Sequence, residues 1–184
     1  MYNNHALPLI TWEPWANAFT EFKENQHVYD LIVAGQLDYY IRSFAQKLNQ
    51  LNRPVFLRFA HEFDNPFYPW YDSRDNASIR FQETWRYIHA IFEEERAEGV
   101  IWVWNPWKAE NMLNYFPGEA YIDWIGVNIL NYATSQDSSY AEFKTLYKPY
   151  RDNIKKLPQL PVMITEMGTL NDANAPHQWL NNAI

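Results

Sequence analysis

The run Arg53–Tyr71, RPVFLRFAHEFDNPFYPWY, decides how the rest of the chain is read. Pro54 to Phe59 is a short, mostly apolar segment opened by proline, the pattern of a buried strand. It delivers His61 and Glu62 into a loop crowded with aromatic residues. Barrel enzymes present catalytic groups in this way, at the carboxyl-terminal end of a buried strand. A second segment ends alike: Pro161 to Ile164, within PVMITEMG, leads to Glu166 at its tip.

Working outward, Leu7 to Trp12 reads as another strand, with Trp12, Glu13 and Trp15 gathered around Pro14 at its end. Glu21 to Ala34 is weakly patterned. Gly35 precedes a helix from about Leu37 to Leu51, whose Ile41, Phe44, Ala45 and Leu48 form one apolar stripe. Beyond the aromatic loop, Asp75 or Asn76 is placed to cap a long helix with Phe81, Trp85, Ile88 and Phe92 on one face, ended by Gly99. Val100 to Trp104 is the next strand, stopped by Asn105-Pro106. A loop leads to a strand over Tyr121 to Asn128. Ser139 and Glu142 have capping-box spacing and open a helix carrying Phe143, Leu146, Tyr147, Tyr150 and Ile154. Pro158 and Pro161 end it and start the strand that leads to Glu166. His177 to Ile184 begins one more helix.

Strands alternating with helices give a parallel sheet. The reading yields about five strands, whereas a closed barrel needs eight and usually about 250 residues. Two architectures remain at this point: a barrel incomplete at both ends, and an open, doubly wound sheet. There is no repeat, linker or low-complexity segment, so a single domain over residues 1–184 is expected.

The 184 residues suffice for a real core, and an 18% aromatic share argues for a large core or a stacking surface. A net charge of −7 disfavours a phosphate-binding surface, so no nucleic-acid partner is expected. The absence of cysteine excludes a disulfide scaffold and thiolate metal sites. No run has the length of a membrane helix. The first residues lack a basic-then-apolar signal and read as a domain already under way.

Glu62 and Glu166 are the candidates to carry chemistry. In glycoside hydrolysis one carboxylic acid protonates the leaving oxygen while a second attacks or activates water. The acid needs apolar surroundings, for which Phe59, Phe63 and Phe67 are candidates. The nucleophile needs donors, for which Arg58 and Tyr132 are candidates. Arg58, Ala60 and Glu62 share parity along an extended chain, which puts them on one side. The plainer account of Arg58 is a strand-end arginine reaching a surface carboxylate, and of either glutamate a solvated side chain. His61-Glu62 lacks the second histidine of a zinc-protease helix, so no metal site and no cofactor are expected. His89 is read as structural. Trp85 and Trp124 read as core. Trp12, Trp15, Trp70 and Trp107 lie at strand ends or in loops, where a ring can stack on a sugar, and Trp104 is a further candidate. No G-x-S-x-G, P-loop or G-x-G-x-x-G motif occurs.

RPVFLRFAHEF, WVWNPW, YIDWIGVNILNY and PVMITEMGT, in this order, resemble glycoside hydrolase family 26, a family of (β/α)8 barrels that includes β-mannanases and β-1,3-1,4-glucanases. The resemblance runs from about Leu7 to Thr169, and R-x-x-H-E at Arg58, His61 and Glu62 is its most specific part. It implies a TIM barrel, incomplete at both ends here. It also implies a retaining endo-β-glycanase with Glu62 as acid/base and Glu166 as nucleophile. Arg58 and His61 would orient these groups and the sugar, and Tyr132 would hydrogen-bond the nucleophile. Family members often carry tryptophan five residues after the acid. Here that place is Phe67, with Tyr68 and Trp70 beyond, so β-mannan and mixed-linkage β-glucan are both expected substrates. Phe67, Trp70 and Trp104 join Arg58, His61 and Tyr132 as expected saccharide contacts. The partner expected is an oligosaccharide or polysaccharide, in an extracellular or periplasmic setting. A non-catalytic saccharide-binding relic of such a barrel is the alternative.

Overall fold

A computed structural model describes residues 6–16, 27–132, 140–170, 176–181 and 183. Five strands form its sheet: β1 (Leu9–Trp12), β2 (Val55–Phe59), β3 (Val100–Trp104), β4 (Trp124–Asn131) and β5 (Val162–Thr169). They lie side by side in chain order, and every adjacent pair is parallel. A doubly wound sheet reverses direction at a switch point. This one never does, so the strands are successive staves of a barrel, and the open-sheet alternative falls.

The helices are α1 (Val28–Val33), α2 (Asp38–Gln50), α3 (Ala77–Glu94), α4 (Met112–Tyr115), α5 (Phe143–Ile154) and α6 (Pro176–Asn181). The three central strands, β2, β3 and β4, are largely buried on both faces, and the two faces differ. Leu57 and Phe59 of β2 are fully buried on the helical side, where the Phe59 ring meets Trp12 and Trp85. Arg58, between them, turns to the barrel axis. On β3 the Trp102 ring packs on Trp85, His89 and Phe92 of α3.

Several elements differ from the sequence reading. Helix α1 lies in the stretch read as weakly patterned, where no helix was expected; six residues are too few to show a clear periodicity. Asn76 precedes α3 but sits at φ 61°, and its side chain makes no cap. Strand β1 begins at Leu9 rather than Leu7. Strand β4 starts and ends three residues later than expected. Strand β5 runs on to Thr169, so Glu166 lies inside a strand and not at its tip. Helix α5 starts later than the expected capping box implies: Glu142, read as its third residue, is the N-cap and makes no side-chain cap, and Ser139 lies outside the described residues.

Candidate active site

Glu62 reaches the site by a sharp turn. The extended chain ends at Phe59, after which Ala60 and Glu62 take φ of 44° and 50°. Non-glycine residues seldom hold this left-handed conformation, and such outliers concentrate where function demands them. The parity argument for Glu62 therefore fails beyond Phe59. The turn is pinned from three sides. Ala60 N–H donates to Trp12 O, Glu62 N–H to Asn105 O, and the Trp70 Nε1–H to His61 O. Each oxygen of the buried Glu62 carboxylate accepts one amide hydrogen bond, Oε2 from Asn65 Nδ2 at 2.7 Å and Oε1 from Asn128 Nδ2 at 2.8 Å. The apolar cradle expected from three phenylalanines is not what surrounds it. Phe59 and Phe63 pack into the core, and Phe67 is 86% exposed.

Glu166 is aimed by a β-bulge. Val127 pairs with Ile164, but the next residue, Asn128, pairs with Glu166, so Thr165 is the extra residue. Successive strand residues ordinarily face opposite sides, and a bulge cancels that alternation. Thr165 and Glu166 thus both project inward. The Thr165 hydroxyl donates to Asn128 Oδ1 at 2.6 Å, which turns the Asn128 amide so that its NH2 meets Glu62. Glu166 Oε1 pairs with Arg58 Nη1 at 2.8 Å. The same guanidinium donates to Asn105 Oδ1 at 2.9 Å and, through Nε and Nη2, to Thr11 Oγ1 on the neighbouring stave. A buried arginine needs just such partners. One polar network therefore spans the interior from Glu62 through Asn128, Thr165, Asn105 and Arg58 to Glu166.

Two tyrosines sense both carboxylates. Partial loss of water around its hydroxyl, then the charges of Glu62 and Glu166, push Tyr132 up; the same causes, joined by Glu13, raise Tyr68. Tyr132 is 76% exposed beyond the end of β4, and it forms no hydrogen bond with Glu166. His61 faces Tyr68, with Nε2 3.1 Å from its hydroxyl, and its buried Nδ1 has no partner. Burial, then the Arg58 charge, lower its pKa. A cavity of about 130 Å³ opens between Glu62, Trp107, Asn128, Tyr132, Leu146 and Tyr150.

The expected sugar platforms divide. Trp70 and Trp104 are fully buried and offer no face to a ligand, which corrects both assignments. Trp70 holds the His61 turn; Trp104 packs on Phe63 and Phe116. Phe67 stands free at the rim, its ring edge-on to Trp107 at 6.5 Å. Among the described residues no three histidine, aspartate or glutamate side chains converge as a metal would require, and no helix is long and apolar enough to cross a membrane.

The model of glycosyl hydrolase family 26 matches residues 6–172. The chain belongs to this family. Its similarity to Endoglucanase H of Acetivibrio thermocellus is 27% identity over 194 residues, covering 100% of this chain and 20% of that protein. With a β-1,3-xylanase of Alcaligenes it shares 26% over 115 residues, 59% of this chain and 23% of the relative. The catalytic domain of the family 26 endo-β-1,4-mannanase of Bacillus sp. JAMB-750 superposes with a TM-score of 0.76 at 16% identity, covering 99% of this chain and 53% of that one. The chain therefore spans about half of a family 26 barrel.

Within this family 26 chain, the sequence reading missed the residues that hold the carboxylates: Thr11, Asn65, Asn105, Asn128 and Thr165. It also missed Asp64, whose buried carboxylate accepts from the Trp107 and Lys108 N–H groups and from Asn111 Nδ2, tying the β2 loop to the β3 loop. One signal was present. Asn105 and Asn128 follow or end apolar strands, and an amide there needs a partner inside the barrel.

Proposed function

We propose that this chain carries the cleft of a β-glycan hydrolase that cleaves with retention, Glu62 serving as acid and base and Glu166 as nucleophile. The observation that supports the reading most is the shared network: Asn128 donates to Glu62 and is the register partner of Glu166. The two carboxylates thus border one interior space, and in retaining enzymes they stand about 5 Å apart. Glu166 Oε attacks the anomeric carbon as the glycosidic C–O bond breaks, and the Glu62 proton passes to the departing oxygen. Water then gives its proton to Glu62 and its oxygen to the anomeric carbon, releasing Glu166. Arg58 meets the Glu166 charge before and after each turnover. Tyr132 and His61 line the sugar, and Phe67 with Trp107 edges the cleft.

The relatives' names differ in sugar and linkage, so their common ground is an endo-acted β-glycan. β-Mannan and mixed-linkage β-glucan are the substrates proposed. A reducing-sugar assay on mannan, lichenan, carboxymethyl cellulose and xylan identifies the polymer. Proton NMR of the first product formed reads the anomer: a β product supports the mechanism, and an α product refutes it. Replacing Glu166→Ala is expected to abolish hydrolysis and spare oligosaccharide binding. Binding by a wild-type protein that cleaves none of the four polymers would instead mark a saccharide-binding relic.

A further inference from the structure

Trp15 is the one strand-end tryptophan with a substantial free ring, 40% exposed, that no step above uses. Its ring is held in place. Nε1–H donates to the carboxylate of Glu13 at 2.8 Å, and one edge rests on Trp70, with ring centroids 6.0 Å apart. Trp70 in turn stacks flat on Tyr68 at 4.5 Å, and the Tyr68 hydroxyl meets His61. Buried Trp70 is therefore a post on which Tyr68 and Trp15 are both mounted. The Glu13 charge is felt by both Tyr68 and His61, so this corner adjoins the carboxylate network. Beside the ring, between the end of β1 and helices α1 and α2, opens a slot of about 150 Å³, lined by Trp12, Glu13, Pro14, Trp15 and Tyr40 with Val28, Ile32 and Leu37 at its floor. A mostly apolar recess with one convergent polar group is how small-ligand sites are built. A ring whose orientation is already fixed costs little entropy to engage.

We propose that Trp15 and Glu13 form a saccharide subsite one ring beyond Tyr68. A hexose unit of the β-linked chain lays its C–H face on the Trp15 indole, and a hydroxyl of that unit donates to the free oxygen of Glu13. The proposal rests on the reading of the cleft as a β-glycan hydrolase. It makes Trp15 a determinant of chain-length preference, since only a long oligosaccharide reaches past Tyr68.

The test compares a hexasaccharide with a trisaccharide of whichever polymer the wild type cleaves. Trp15→Ala is expected to lower the hexasaccharide-to-trisaccharide ratio of kcat/KM about tenfold, the equivalent of roughly 1.4 kcal/mol. Trp15→Phe should recover most of it, and Glu13→Ala, which frees the ring, should fall between. A wild-type ratio in Trp15→Ala, or an equal loss on both substrates, overturns the subsite. Should Trp15→Ala fail to fold, an unchanged ratio in both Trp15→Phe and Glu13→Ala overturns it as well. Should the wild type cleave nothing, the hydrolase reading fails by itself. Calorimetric titration with mannohexaose and with a mixed-linkage glucohexaose then decides the subsite: weaker binding by Trp15→Ala supports it, and equal affinity, or no binding by the wild type, refutes it.

Discussion

At the scale of single residues, Arg58 has the most to lose. Its guanidinium bonds Thr11, Asn105 and Glu166 at once, a fork that an ammonium cannot reproduce. Arg58→Lys is expected to keep the charge but let the Glu166 carboxylate drift, lowering kcat about 100-fold with a smaller change in KM; steady-state kinetics on the cleaved polymer checks it. Retention of wild-type kcat would show that Arg58 only fills space. Arg58, His61, Glu62 and Glu166 were legible because each follows or ends an apolar run, where a charged side chain has few structural reasons to sit. The misassigned tryptophans were not legible, since position at a strand end does not say which way a ring turns. Trp70 and Trp104 turned inward and Trp15 outward, through contacts with residues distant in sequence.

Elements decide whether those residues meet. The β5 bulge sets the inward pair Thr165 and Glu166, and nothing in PVMITEMG marks it, because a bulge is a property of pairing with β4. Thr165→Val keeps the shape and removes the hydroxyl that orients Asn128. The expected cost is about 1 kcal/mol in urea unfolding, together with a fall in kcat as the Asn128 amide loses its hold on Glu62. Gly126 on β4 serves the same junction. A Cβ there would lie 2.9 Å from Thr165 Cγ2 and 3.0 Å from Val103 Cγ1. Gly126→Ala should destabilise by about 1–3 kcal/mol, with activity falling alongside, because the displaced group is Thr165. On α3, His89 lies against Trp102 and Tyr121, and burial lowers its pKa against the opposing charges of Glu93 and Asp123. His61 is lowered too, by burial and Arg58. The unfolded chain then binds more protons than the folded one as pH drops below about 6.5, so stability present above that pH is lost on acidification. The melting temperature should decline from pH 7 to 5, and His89→Gln should flatten the decline; an identical slope would remove His89 from the account.

For the whole molecule, the strand and helix order was readable because buried parallel strands are continuous apolar runs and the long helices carry clear stripes. The choice between barrel and open sheet was not readable from periodicity, since both alternate strand with helix; the order of strands in the sheet decides it. That order has a consequence at the margins. Strands β1 and β5 each have a strand neighbour on one side only among the described residues. Leu9 on β1 is 37% exposed, and Met167 on β5 is 46% exposed. Unpaired parallel edges with apolar side chains recruit other strands, whereas charges placed on them block recruitment. The 184-residue polypeptide on its own is therefore expected to associate with rising concentration and to bind a hydrophobic dye. Leu9→Lys combined with Met167→Lys should reduce both, because neither side chain takes part in the polar network. Light scattering after size exclusion reads the outcome. Association that persists in the double variant would locate the contact elsewhere, with exposed Tyr39 and Tyr40 of α2 the next surface to probe. A wild-type chain monomeric at all concentrations would mean that the twist of the edge strands alone keeps partners away.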